Sequence, residues 1–329
     1  MPARAGSLQV VRVASRSCGD SEGQIMPELK DSASILVSIG LPTYNRAGML
    51  RRSIASALAQ THRNIELLIS DNASTDETES ICREFMAADA RVRYIRHPKN
   101  MGPTPNYVAV LDASGGEYFM WLCDDDWLDP TYVEECLVEL TSDPLTILAG
   151  GVAKYYDGDD FKYAGAVTNL LQDDGLVRML EYYDTIVDNG ILYGLWRRAQ
   201  LLDLPLDNTM GSDWLTLGAA AYSGKIRTFD GACIHRDLGG STVSFAAIVE
   251  QMELPAIQEY FPYITIALNA VQDVLVRVPV FRREPLARRI RIAAQLFYLI
   301  VSKYVVRGAI VRFVVKARAW FRGSGVPSR

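Results

Sequence analysis

The chain is poor in the residues that staple or metallate small folds. Its five cysteines (Cys18, Cys82, Cys123, Cys136, Cys233) form no C-x-x-C pair in 329 residues, and its three histidines are scattered. This argues against a zinc site and against a disulfide-stapled secreted scaffold, and makes the reducing cytosol the expected compartment. No apolar run reaches the ~18 residues that a membrane-spanning helix needs. Residues 1–33 carry Arg and Ser but no apolar core of signal-peptide type, and read as a flexible leader. No internal repeat is visible. No Gly-rich basic loop follows the first apolar run, and no aspartate does either. The usual phosphate loop of a nucleotidyltransferase and the nucleophile of an aspartate-based phosphatase are therefore missing.

What is present is a large core and a lopsided charge. Hydrophobic residues make up 49% and charged residues 22%, which fills an interior and excludes wholesale disorder. The net charge of −5 conceals 13 Lys and Arg against the single acid Glu284 from Arg277 onward, so the preceding body is strongly acidic. Such a body repels phosphates, and nucleic acid is not an expected partner. The basic end reads as an attachment surface.

From Ser34 onward, apolar runs alternate with helical patterns. Strands are expected over 35–39 (stopped by Gly40 and Pro42), 65–69, 92–95, 118–122 and 146–152. Helices are expected over 47–60, from Asp76 as N-cap with Glu79 in a capping box, over 106–111, and from Asp129-Pro130. Strands about 25–30 residues apart, with helices between them, predict right-handed βαβ crossovers and a mainly parallel, Rossmann-like α/β sheet covered on both faces. Ligands bind beyond the carboxyl ends of such strands.

Those ends carry Pro42-Thr43-Tyr44-Asn45-Arg46, then Ser70-Asp71-Asn72 with Ser74-Thr75-Asp76, then Asn100-x-Gly102 with Asn106, and finally Asp124-Asp125-Asp126. Three consecutive aspartates after a buried strand repel one another unless a cation or hydrogen bonds compensate. Hard divalent cations such as Mn²⁺ or Mg²⁺ take such oxygen ligands together with substrate phosphates. The plainer reading is an acidic loop in which Asp126 or Asp129 caps the next helix.

With Ser56-x-x-x-Gln60-Thr61, these make five ordered motifs, and the segment from Ile35 to about Leu140 resembles the nucleotide-sugar-binding half of glycosyltransferase family 2, with the GT-A fold. Weaker similarity continues to about Ser244. The resemblance implies a GT-A domain over 34–244, divided into a donor-binding half (34–140) and an acceptor half (141–244), and followed by a helical basic region (245–329). It implies that Pro42 and Tyr44 lie beside the donor's base and that Asp71 accepts from the base N3–H, which favours uracil or thymine. Asp124 would lie near the ribose and metal, and Asp125 would hold the metal that bridges the two phosphates, with Asp126 beside it. The family's usual Leu-Asp-x-Asp-Asp places its first aspartate where this chain has Cys123. For Asp71 the alternative is a turn aspartate, and for Tyr44 packing against the sheet.

In the acceptor half, Gly211-Ser212-Asp213 opens an apolar helix, and the resemblance implies Asp213 as catalytic base; helix capping is its plain alternative. His235-Arg236 follows a strand-like 231–234. By analogy with GT-A enzymes, His235 would be a further metal ligand and Arg236 would neutralise the leaving diphosphate, although a lone histidine is more often structural. Trp196 and Trp214 suit an acceptor-sugar platform or the core equally.

Two helical stretches lie between Pro285 and Phe321, joined near Gly308, with Arg and Lys flanking apolar faces. They suit an anionic membrane surface, which would place the protein peripherally at the inner face of the cell membrane. Packing on the catalytic core or on another subunit is the competing reading. The expected activity is inverting, Mn²⁺- or Mg²⁺-dependent transfer from a UDP- or dTDP-sugar to a surface glycan or lipid-linked acceptor. A non-catalytic sugar-nucleotide-binding protein and a nucleotidyltransferase stand as alternatives.

Overall fold

Four runs become four adjacent strands, of which the first, second and fourth are buried on both faces and the third, at the sheet edge, is only partly covered. The computed structural model describes residues 32–240 and 244–307. β1 (Val37–Thr43), β2 (Ile65–Asp71), β3 (Val92–Arg96) and β4 (Tyr118–Trp121) alternate with α1 (Ala47–Leu58), α2 (Thr78–Ala88) and α3 (Pro103–Asp112). Next come β5 (Trp127–Leu128), α4 (Tyr132–Ser142), the hairpin β6 (Thr146–Asp157) and β7 (Asp160–Ala164), and α5 (Gly175–Thr185). β8 (Leu195–Arg197), α6 (Arg198–Leu201), α7 (Ser212–Ser223) and β9 (Lys225–Asp237) follow. Then come α8 (Phe245–Gln251), α9 (Ile257–Tyr260), α10 (Pro262–Gln272) and α11 (Leu286–Ile300). Most of the expected leader, and the second basic stretch around 311–321, lie outside the described residues.

The strands form one sheet in the order β3-β2-β1-β4-β8-β6-β9-β5, with β7 on β6. β1 to β4 pair in parallel, as expected. Beyond β4 the expectation of a mainly parallel sheet is corrected. β8 runs antiparallel to both β4 and β6, β7 to β6, and β5 to β9, while β6 and β9 are parallel. Of these antiparallel pairs, β6–β7 is a tight hairpin, while the others join strands separated by long connections that include helices. β1 also runs through Gly40 and Pro42, which were expected to stop it. β4 accompanies it only to Gly40, so Pro42 pairs with Ser70 on one side and its missing N–H breaks no second ladder.

Two apolar layers cover the faces. Leu50, Ile54, Val133 and Leu137 pack with Ile39 and Leu67 on one side. On the other, Val110, Tyr183 and Leu217 pack together with Ile266, Phe281, Ile292, Leu296 and Ile300 from α10, α11 and the turn between them. The first basic helix therefore spends one apolar face on the core. Leu296 is 1% exposed, and Leu296→Ala is expected to cost about 2–5 kcal/mol. Urea denaturation would read this as a lowered midpoint; a loss below about 1 kcal/mol would mean that α11 is only loosely docked. Among the described residues, no helix is long and apolar enough to cross a membrane.

Candidate functional site

The carboxyl ends of β1 and β4 open into a cavity of about 1000 Å³. The aspartate turn is held from behind by α1 and by Gln60 just beyond it. Arg52 donates to the Asp125 carbonyl (3.1 Å) and Ser53 Oγ to the Asp126 carbonyl (2.6 Å). Ser56 Oγ accepts from Leu128 N (3.2 Å), and Gln60 both donates to the Asp129 carbonyl (2.9 Å) and accepts from Val133 N (3.0 Å). The motif Ser56-x-x-x-Gln60 thus clamps the turn that carries the aspartates.

The loops after β1 and β2 brace each other. Asn45 and Ala73 both take left-handed backbone, at φ 53° and 65°. Asn45 N donates to Ser74 Oγ (2.9 Å), and Asn45 Oδ1 accepts from Thr75 N (2.8 Å). Asp76 accepts from Thr78 N at the start of α2 and from Ala47 N at the start of α1, so it serves two helices. The expected capping box does not form, because Glu79 pairs with Arg83 and Arg96. Asn106 receives Ser70 Oγ (2.6 Å) and donates to the carbonyls of Thr43 and Ser70, tying the two strand ends together. Pro42 lines the cavity, and Tyr44, 43% exposed, presents its ring there.

The three aspartates have different surroundings. Asp124 Oδ2 accepts from Thr43 Oγ1 at 2.7 Å, and burial lifts its pKa to about 6. Asp125 lines the cavity, and burial together with Asp126 and Asp124 lifts its pKa to about 7; Arg46 Nη1, at 3.9 Å, compensates only in part. Asp126 is almost wholly buried. It accepts from Arg236 Nε (3.0 Å) and Asp237 N (3.2 Å). Arg236 lies 3.9 Å over the Tyr193 ring and lines the cavity. Ligand atoms of Cys123, Asp125 and Asp126 lie within 4.8 Å of one another. The Cys123 thiol contacts the Tyr107 hydroxyl at 3.0 Å, and burial raises its pKa, which keeps it protonated.

Some expected residues do not reach the cavity. Asp71 is fully buried; its carboxylate accepts from Ser74 N (2.8 Å) and Tyr94 Oη (2.6 Å), bonds that shape the loop, and it is not among the residues that line the cavity. Asn72 and Asn100 line the wall at that end. His235 has both ring nitrogens engaged, with Asp129 Oδ1 (2.8 Å) and Tyr156 Oη (3.1 Å), and its ring stacks on Trp127. Neither His235 nor Asp237 belongs to the cluster of Cys123, Asp125 and Asp126, but Asp237 lines the cavity and His235 does not. Asp129, expected to start a helix, instead accepts from Cys233 N (2.8 Å) and joins β9. Trp196 is fully buried in the core.

At the other end of the cavity, Gly211 precedes α7 at φ +69°, where a Cβ would also strike Ile266 at 2.6 Å. This turn places Asp213 inside the first helical turn, away from the cap position. Asn189 Nδ2 donates to Asp213 Oδ2 (2.5 Å), while Asn189 Oδ1 accepts from Tyr182 Oη (2.9 Å). Burial raises the Asp213 pKa, and the Asn189 bond opposes it. Asp213, Asn189, Arg236 and Asp125 line one cavity. Sequence reasoning assigned no role to Arg46, Asn189 or Asp237. Arg46 lay within a quoted motif; the other two carry no spacing signal.

Residues 38–191 match the family described as Glycosyl transferase family 2. The chain is 26% identical over 176 residues to the glycosyltransferase GlyA of Streptococcus pneumoniae, a match covering 53% of this chain and only 24% of GlyA. S. aureus TarS 1–349 in complex with UDP-GlcNAc superposes with a TM-score of 0.57 at 15% identity, over 82% of this chain and 73% of that one. The mannosyltransferase PcManGT of Pyrobaculum calidifontis, with GDP-Man and Mn²⁺, gives 0.53 at 14% identity, over 93% of this chain and 80% of that one. At these identities the solved structures establish a shared fold, the GT-A arrangement expected from the motifs. β1 to β4 and the aspartate turn all lie inside the segment 38–191 but for the first residue of β1, so the part of the chain that matches glycosyltransferase family 2 is the part that builds the strand-end side of the cavity.

Proposed function

We propose that the chain moves a sugar from a UDP- or dTDP-sugar to a hydroxyl of a surface glycan or lipid-linked acceptor, with inversion at the anomeric carbon. The observation that carries this reading is one cavity lined by Asp124 and Asp125 at the strand ends and by Asp213 on α7. The donor class is supported by the TarS complex with UDP-GlcNAc on the same fold.

The residues fit a hard divalent cation. Asp125 faces the cavity with its nearby charges only partly compensated, and its neighbours offer carboxylate oxygens. The Cys123 thiol, soft and protonated, suits such an ion poorly. Asp125, with Asp124 and Asp126 beside it, would hold Mn²⁺ or Mg²⁺. When bound, such an ion supplies Lewis-acid charge to the diphosphate oxygens.

The residues of the chain do the rest. Tyr44 offers a ring face to the base, and Arg46 and Arg236 offset negative charge as the diphosphate departs. Asp213 takes the acceptor hydroxyl's proton as that oxygen bonds to the anomeric carbon and the bond from that carbon to the phosphate oxygen breaks. Asn189 holds the carboxylate in place. Tyr44→Ala is expected to weaken UDP binding about tenfold, and Tyr44→Phe to leave it near the parent value. Calorimetry checks this; equal affinity for the Ala variant would remove the stacking role. Exposed Leu286, Ile290 and Tyr298 on α11, flanked by Arg288 and Arg291, leave a basic apolar face for an anionic membrane surface.

A further inference from the structure

The turn that ends β9 brings another carboxylate to the cavity. Asp237 is 6% exposed and lines the same wall as Asp124 and Asp125. Its main-chain N–H donates to Asp126 Oδ1 at 3.2 Å, which ties it to the aspartate turn, and its Oδ1 accepts from Gly239 N at 2.7 Å. Its Oδ2 is buried and has no hydrogen-bond partner among the described residues. Among the described residues, Arg52 forms its ion pair, with Nη2 3.9 Å from that oxygen. That nitrogen already donates to the Asp125 carbonyl, and the guanidinium lies 3.6 Å over the Trp127 ring. Arg52 is thus committed elsewhere and too far for a hydrogen bond.

A buried carboxylate oxygen without a donor is unfavourable unless something else completes it. Asp125, which is near the same Arg52 nitrogen through its carbonyl, also lacks full compensation. Two under-compensated carboxylates line one cavity, and Arg52 reaches the Asp237 carboxylate and the main-chain carbonyl of Asp125; such carboxylates have the hardness and charge that a divalent cation requires. We propose that Asp237 supplies a carboxylate oxygen to the same Mn²⁺ or Mg²⁺ that Asp125 holds. This rests on the metal-dependent reading above and adds a residue to it: the late ligand is Asp237, while His235 belongs to the Trp127–Asp129–Tyr156 cluster. The competing role is purely structural, with Asp237 serving only as a counter-charge to Arg52.

Mn²⁺ titration followed by electron paramagnetic resonance, at saturating UDP, separates the two. Asp237→Asn keeps the shape and the Gly239 bond and is expected to weaken Mn²⁺ binding about tenfold or more, as loss of one charged ligand should. Asp237→Glu should retain more affinity than Asp237→Asn, and His235→Gln should bind Mn²⁺ like the parent. Circular dichroism verifies folding, and the Glu variant keeps the test open if the Asn variant is unstable. Parent-like Mn²⁺ affinity in Asp237→Asn, alongside a loss in Asp125→Asn, would overturn this inference alone. Parent-like affinity in both would overturn the metal reading beneath it.

Discussion

Asp125→Asn is expected to lower sugar transfer by about 10³-fold while leaving the fold intact. Of the three aspartates, Asp126 accepts from the Arg236 guanidinium and Asp124 from the Thr43 hydroxyl, whereas the Asp125 carboxylate has Arg46 at 3.9 Å and lines the cavity. An amide of the same shape removes the charge that would hold the cation on the donor diphosphate. It also removes repulsion between buried neighbours, so the melting temperature should stay level or rise. Transfer and thermal stability measured together separate this from simple unfolding. Parent-like transfer by a well-folded Asp125→Asn protein would remove the metal assignment.

The second large effect belongs to Asp213. Asp213→Asn should lose about 10²–10⁴-fold in turnover, the range of a positioned general base, while UDP binds as in the parent. Because burial raises the Asp213 pKa, the base form is lost on acidification at a pH above the ordinary carboxylate value of about 3.9. The parent's turnover should therefore rise with pH through a limb above that value, and the residual turnover of Asp213→Asn should lack the limb. Near-normal turnover would assign the base to another group.

The parallel half of the sheet was legible because its residues report their surroundings directly. Strands covered on both faces are apolar throughout, and the polar residues concentrate where they end. Ser56, Gln60 and Asn106 were recognisable by motif, and the structure gives each a hydrogen-bonding task. β8 was not legible, because three residues carry no periodicity and its antiparallel direction depends on where its neighbours lie. β9 was visible only over 231–234, since its first half is mixed in character. The position of His235 away from the cavity lining has the same origin. Whether His235 or Asp237 faces the cavity depends on where β9 ends and on the ring-and-acid cluster that claims His235. Asp71 was placed on the right loop, but the competition for its oxygens by Ser74 and Tyr94 arises only in three dimensions. For α11, one amphipathic pattern served two readings. Ile292, Leu296 and Ile300 face the core, whereas Leu286 and Ile290 remain exposed.

The central claim is that the aspartate turn grips a donor diphosphate through a divalent cation. Calorimetric titration of the full chain with UDP, once in Mn²⁺ and once in EDTA, tests it most directly. The account predicts clear binding with Mn²⁺ and a loss of at least about tenfold in affinity with the chelator. Equal UDP affinity in both conditions would contradict it.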